Sequence, residues 1–154
     1  MYCDILDCVS PLPLPPGYTI RTYRPGDETT WAKIETLAGE FTTENAALKR
    51  FHSEFQGYES DLQQRCFFLL NPEGVAIGTI MAWYGEYEGS RIGRIHWVGI
   101  IPDYQGKKLA KPLLYYALSQ MRKYHQEVYL TTQKHNKRAI SLYEAFGFRD
   151  IETA

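Results

Sequence analysis

Residues 92–121 read IGRIHWVGIIPDYQGKKLAKPLLYYALSQM. Ile92–Ile101 has the length and composition of a strand, and Pro102 ends it. From Ala110 onward the apolar positions are Ala110, Leu113, Leu114, Ala117, Leu118 and Met121, spaced by three and four as on one face of a helix. The short link Pro102–Gly106 joins the two. The pattern then repeats. Glu127–Thr132 reads as a strand, and about Lys137–Phe146 reads as a helix with Ala139, Leu142, Tyr143 and Phe146 inward and Gly147 as its stop. Two strand-helix units in succession imply parallel pairing with a right-handed crossover.

Upstream the period is different. Cys66–Leu70 is a continuous apolar run of strand length, Asn71–Gly74 is a turn, and Val75–Tyr84 is a second strand. The polar link Glu86–Ser90 leads into Ile92–Ile101, which predicts an antiparallel meander. Before it, Thr19–Tyr23 reads as a short strand. Asp27 is placed to cap a helix with Trp31, Ile34, Leu37, Ala38 and Phe41 on its apolar side. Thr43 or Asn45 opens a second helix bearing Leu48, Phe51, Phe55 and Leu62. The fold class is α/β with α+β character. One central mixed sheet has an antiparallel first half and two strand-helix units in its second, with about four helices. Phe148–Ile151 is expected as a last strand. Residues 1–16, with four prolines between Pro11 and Pro16, are expected as an extended lead-in, and residues 17–154 as one domain.

The 17 Lys and Arg nearly balance 18 Asp and Glu, which argues against broad binding to nucleic acid or an anionic membrane. No apolar run is long enough to span a bilayer, and no secretory leader is expected. Cys3, Cys8 and Cys66 have neither disulfide-framework nor metal-ligand spacing, so no metal is expected. A reducing cytoplasm is the expected location.

Both strand-to-helix junctions are cationic. Lys107, Lys108 and Lys111 surround one helix start; Lys134, His135, Lys137 and Arg138 surround the other. A helix N-terminus already carries about half a positive charge, and its unpaired N–H groups donate readily to phosphate. Solvated lysines explain the charge equally well, so the wording of the loop decides.

Gln105-Gly106-Lys107-Lys108-Leu109-Ala110, after Val98-Gly99-Ile100-Ile101-Pro102, resembles the coenzyme A signature of the GNAT N-acetyltransferase superfamily. Asn136-Lys137-Arg138-Ala139 with Leu142-Tyr143 and Gly147-Phe148 resembles the family's second motif. The resemblance implies a cosubstrate, acetyl-CoA, and transfer of its acetyl group to a primary amine by direct attack. Val98, Gly99 and Ile100 would offer backbone N–H groups to the thioester carbonyl. Gln105, Gly106, Lys107, Lys108, Leu109, Ala110 and Asn136 would hold the cofactor.

Tyr143 matches the tyrosine that protonates the departing thiolate, although it also falls on its helix's apolar face. The base is open. Alternation puts Arg94, His96, Val98 and Ile100 on one strand face, and His96 has the ring with a pKa near neutral. Glu86 and Glu88 are the other candidates. The acidic stretches Glu40–Glu44 and Glu86–Glu88 fall in the family's usual acceptor regions.

Two departures stand out. Lys108 replaces the usual Gly, which a helical backbone there would accept. Ala154 also follows soon after the Gly-Phe pair, where family members usually continue into another strand, so the sheet is expected to be incomplete at one edge, covered there by a second subunit in a homodimer, or simply shorter. A non-catalytic acyl-CoA-binding module is the alternative function.

Overall fold

Strands Tyr2–Asp4 (β1), Thr19–Thr22 (β2), Cys66–Leu70 (β3), Ala76–Tyr87 (β4), Ser90–Ile100 (β5) and Glu127–Tyr129 (β6) form one sheet in the order β1-β6-β5-β4-β3-β2. This is the arrangement of a computed structural model that describes residues 1–4 and 12–150. All neighbours pair antiparallel except β5 and β6, which are parallel. The meander followed by a crossover is the topology expected from the change of period. The helices are Glu28–Leu37 (α1), Glu44–Phe55 (α2), Glu59–Arg65 (α3), Ala110–Met121 (α4) and Lys137–Ala145 (α5), with a 3-10 turn at Pro102–Tyr104.

Among the described residues five helices stand where about four were expected. The apolar row Leu48, Phe51, Phe55, Leu62 is split between α2 and α3, because the chain turns at Gly57 with φ of +88°. Thr43 caps α2, its hydroxyl accepting from the Ala46 N–H at 3.1 Å. Asp27 precedes α1 but makes no side-chain cap. Its carboxylate accepts instead from the Arg21 guanidinium and the Arg24 N–H.

The stretch read as a lead-in contributes a strand. β1 pairs with β6 through Tyr2–Tyr129, Cys3–Val128 and Asp4–Glu127. Cys3 is buried, and its thiol contacts the Phe146 carbonyl. The edge expected to lie open is therefore covered by the chain's own first residues. Of the expected last strand, Arg149 makes one bridge to Tyr2, and Ile151 lies outside the described residues, as do Cys8 and Pro11.

Helices cover both faces, which explains why β3 reads as continuously apolar. Phe67 and Leu69 join Leu113, Leu114, Ala117, Leu118 and Met121 of α4 in one cluster. Cys66 and Phe68 point the other way, into a second cluster with Trp31, Ile34, Phe51, Phe55 and Leu62. Each large apolar side chain fully buried there contributes roughly 1.5–3 kcal/mol. Among the described residues no helix is long and apolar enough to cross a membrane.

Candidate active site

The centre of the molecule is an irregularity in β5. Thr79 pairs with Gly99, and Met81 with His96, so β5 carries one residue more than β4 between these pairs. Trp97 has φ of +48°. A left-handed backbone at a bulky residue costs roughly 1–2 kcal/mol, and the indole is held on several sides. Its Nε1 donates to Glu54 at 3.1 Å, and its ring meets Trp31 at 5.3 Å and Phe41 at 5.5 Å.

The bulge overturns the strict alternation expected for this strand. His96 packs on the α1–α3 face, beside Phe55 and Trp97. Val98 and Ile100 pack on the α4 face. An inserted residue inverts every side chain beyond it, so His96 does not share a face with Val98.

β5 and β6 then part company. They pair only at Gly93–Val128 and Arg94–Tyr129, while β5 runs on to Ile100. The gap beyond Arg94 therefore borders the bulge and the segment Val98–Ile100.

At the top of β5 the loop closes on itself. Gln105 donates its side-chain N–H to the Ile100 carbonyl at 2.9 Å. Gly106 has φ of +78° with open space where a Cβ would point. Lys107 places its ammonium 5.0 Å from the Tyr104 ring centre. Leu109 is buried and precedes α4 without a side-chain cap, and the first turn of Ala110–Met121 has no acidic residue. Lys108 corrects an expectation. Its backbone is not helical but left-handed, with φ of +63°, which is why glycine suits the position.

On the other strand-helix unit, the Asn136 side-chain oxygen caps α5 by accepting from the Ala139 N–H at 3.2 Å. One face further along α5, Tyr143 is 8% exposed and sits edge-on to Phe148. Burial, and then the charge of Glu40, push its phenol up to about 12, so it keeps its proton at neutral pH.

The sequence profile of the acetyltransferase (GNAT) family matches residues 31–148. The chain belongs to this family. It is 28% identical over 149 residues to a mycothiol acetyltransferase of Streptomyces griseus, covering 96% of this chain and 48% of that protein. The chain thus spans about half the length of the curated relatives it matches. A GCN5-related N-acetyltransferase from Sphaerobacter thermophilus shares the fold with a TM-score of 0.70 at 24% identity, over 96% of this chain and 46% of that one. AAC(6')-Iy, solved with the bisubstrate analogue CoA-S-monomethyl-acetylneamine, superposes with a TM-score of 0.64 at 19% identity, over 86% of this chain and 91% of that one.

Within this GNAT chain, sequence reasoning missed two carboxylates. Glu54 on α2 accepts from His96 Nε2, from Trp97 Nε1 at 3.1 Å and from Arg50 Nε at 3.1 Å. Burial pushes Glu54 up, but the His96 and Arg50 hydrogen bonds outweigh it and hold the carboxyl at about 2. Burial lowers His96, against the opposing pull of Glu54. A neutral ring donating Nε2–H to an ionised carboxylate satisfies both directions.

The second is Glu35. Leu37 was expected inside, yet it is 48% exposed while Glu35 is 0% exposed. The available signal was position alone: Glu35 lies one turn after Trp31 on the same helix face. A Cβ added to Gly99 would lie 2.9 Å from Glu35 Oε1. On this face the glycine makes room for a carboxyl of the protein itself.

Of the other base candidates, Glu88 sits in the β4–β5 turn with φ of +48°. Glu86 lines a cavity of about 340 Å³ with Glu54, Tyr58, Trp83, Tyr84 and Arg91. Among the described residues no group of three or more His, Cys, Asp or Glu could hold a metal ion.

Proposed function

We propose that this chain binds acetyl-CoA in the gap between β5 and β6 and transfers the acetyl group to a primary amine by direct attack. The observation that carries the reading is the bulge at Trp97 where those two parallel strands separate. It leaves Val98, Gly99 and Ile100 beside an open edge, with the loop Gln105–Ala110 tied to the end of the strand through Gln105 and the Ile100 carbonyl.

The loop residues fit a pyrophosphate. Gly106 leaves space for close approach, and Lys107 and Lys108 supply charge. The first turn of α4 has neither a side-chain cap nor an acid of its own. Asn136 orders the start of the second helix, which carries Tyr143. Acetyl-CoA supplies an acetyl group activated as a thioester. Backbone N–H groups of Val98–Ile100 stabilise charge on the carbonyl oxygen. Tyr143 gives its proton to the departing sulfur. The amine arrives from the face covered by α1 and α2, the face that holds His96; as base, His96 would act through Nδ1, because Nε2 is engaged by Glu54. The exposed acid Glu40 draws a cationic acceptor to this face.

The relatives named as acetyltransferases, and a neighbour solved with a CoA conjugate, support the reading. The test is thermal: acetyl-CoA should raise the melting temperature by mass action, and dephospho-CoA should raise it less. No shift at millimolar acetyl-CoA would refute the proposal.

A further inference from the structure

α1 carries polar groups that the scheme above leaves idle. Trp31 and Glu35 lie one turn apart, and both are 0% exposed. Among the described residues, Trp31 Nε1 and both Glu35 carboxyl oxygens are buried without a hydrogen-bond partner. Buried polar groups are nearly always partnered, and leaving them unpaired is costly. Oγ1 of Thr36, the next residue, is unpartnered as well, and the three orphaned atoms of Trp31 and Glu35 point to a ligand that supplies the missing partners.

Their location says which ligand. The Glu35 carboxyl atoms are the nearest to the missing Cβ of Gly99, with the oxygens at 2.9 and 3.3 Å. Gly99 is the middle residue of the segment assigned to the thioester carbonyl. The carboxyl thus lies against Gly99, on the face from which the scheme proposed above brings the acceptor. Aromatic rings wall it in. Trp31 packs on Trp97 and, at 5.9 Å, on Phe41, and both Trp97 and Phe41 are partly exposed. The loop that carries Phe41 also carries Glu40, whose backbone N–H is bonded to the Glu35 carbonyl at 3.0 Å.

The geometry points to Glu35 as the group that takes the proton of the attacking amine. Trp31 and Trp97 form the walls of the acceptor's seat, and Phe41 is the ring that the acceptor displaces on entry. This assignment rests on the acetyltransferase reading and deepens it. The amine nitrogen forms a bond to the acetyl carbon as the carbon–sulfur bond breaks. Its proton passes to the Glu35 carboxylate, and Tyr143 protonates the sulfur. Exchange with solvent then removes the proton from Glu35 and restores the one on Tyr143, so one proton has moved in balance from amine to thiol. His96 is worse placed, being locked to Glu54 and separated from Gly99 by the bulge. Together His96 and Glu54 fix the Trp97 ring.

Glu35 is also tuned for the task. Burial, and then the charge of Glu40, push its carboxyl up to about 8. The titratable and charged groups around it are Glu40 on the loop, Cys66 on β3, and His96, Glu54 and Arg50 on the same side of the sheet. It becomes a competent base as the pH rises through that value.

The experiment compares kcat against pH for the wild-type chain and Glu35→Gln, at saturating acetyl-CoA and a saturating amine found by thiol release. Glu35→Gln should lose about 100-fold or more in kcat. It should also lose the rise in kcat near pH 8 and keep its affinity for acetyl-CoA. A kcat within about threefold of wild type, or a retained rise, would overturn the assignment. If Glu35→Gln does not fold, Glu35→Asp withdraws the carboxyl by one methylene. It should cost about tenfold or more in kcat while keeping the rise, and unchanged turnover would overturn the assignment. A purely structural Glu35 would move the melting temperature and leave the pH profile intact. A wild-type chain that binds no acetyl-CoA refutes the acetyltransferase reading itself, whereas an active wild type with an equally active Glu35→Gln refutes only the role of Glu35.

Discussion

The two faces of β5 are built to different rules. Towards α4 the side chains are Ile95, Val98 and Ile100, packed against Leu113, Leu114, Ala117 and Met121. Gly93 lets the helix come so near that a Cβ there would lie 2.5 Å from Met121 Sδ. Towards α1 and α2 the strand meets Glu35, the Trp31 indole nitrogen and the His96–Glu54 pair. The first face is a packing surface; the second gives up stability to keep polar groups near Gly99. The bulge at Trp97 lets one strand serve both, because it changes which residues look which way.

The largest expected effect lies where α5 reaches the packing side. Tyr143→Phe keeps the ring and removes the hydroxyl. With chemistry rate-limiting, turnover should fall by about 10²–10⁴-fold, while the melting temperature and acetyl-CoA affinity hold. Full turnover in steady-state kinetics would return Tyr143 to the packing surface.

Gly99→Ala tests the polar side. Its methyl would meet the Glu35 carboxyl, and overpacking of this kind costs typically about 1–3 kcal/mol in chemical denaturation. The penalty should shrink in a Glu35→Ala background, so the double-mutant cycle should show coupling. Additive effects would mean that the two residues do not touch.

The same carboxyl predicts a pH signature. Its value rises from 4.5 to about 8 on folding, so between these limits the folded chain keeps a proton that the unfolded chain releases. Its contribution to stability is therefore fully present below about pH 4.5 and is lost as the pH rises towards 8, on the order of 1 kcal/mol per unit. Glu35→Gln should flatten that slope in melting curves taken across this window. Activity and stability of the wild type should move in opposite directions over the upper part of it.

The smallest effect belongs to the loop. Lys108→Gly relieves a left-handed lysine and should stabilise the chain by about 1 kcal/mol in thermal unfolding. Unchanged or lower stability would show that the Lys108 side chain contributes a compensating contact.

What was legible in the sequence follows the same division. The α4 face could be read because apolar spacing reports packing: Leu113, Leu114, Ala117, Leu118 and Met121 are all buried as their period requires. The loop Gln105–Ala110 could be matched to a family signature because that motif is local, a run of adjacent residues. The bulge could not, since a single inserted residue leaves no mark on composition, and it moved His96 away from Val98. Glu35 was hidden because a carboxylate on a helix is ordinarily solvated, and its place one turn after Trp31 was the one sign of its burial. β1 was obscured by its neighbours, because prolines downstream made Tyr2–Asp4 look like the start of a tail.

Amine-dependent acetyl transfer at the parting of β5 and β6 can be measured by incubating the chain with acetyl-CoA and a panel of primary amines and following free thiol and the mass of the amine product together. Thiol release should depend on at least one amine and match acetylated product one for one. Tight binding of acetyl-CoA with no thiol release for any amine would contradict such transfer and leave an acyl-CoA-binding module in its place.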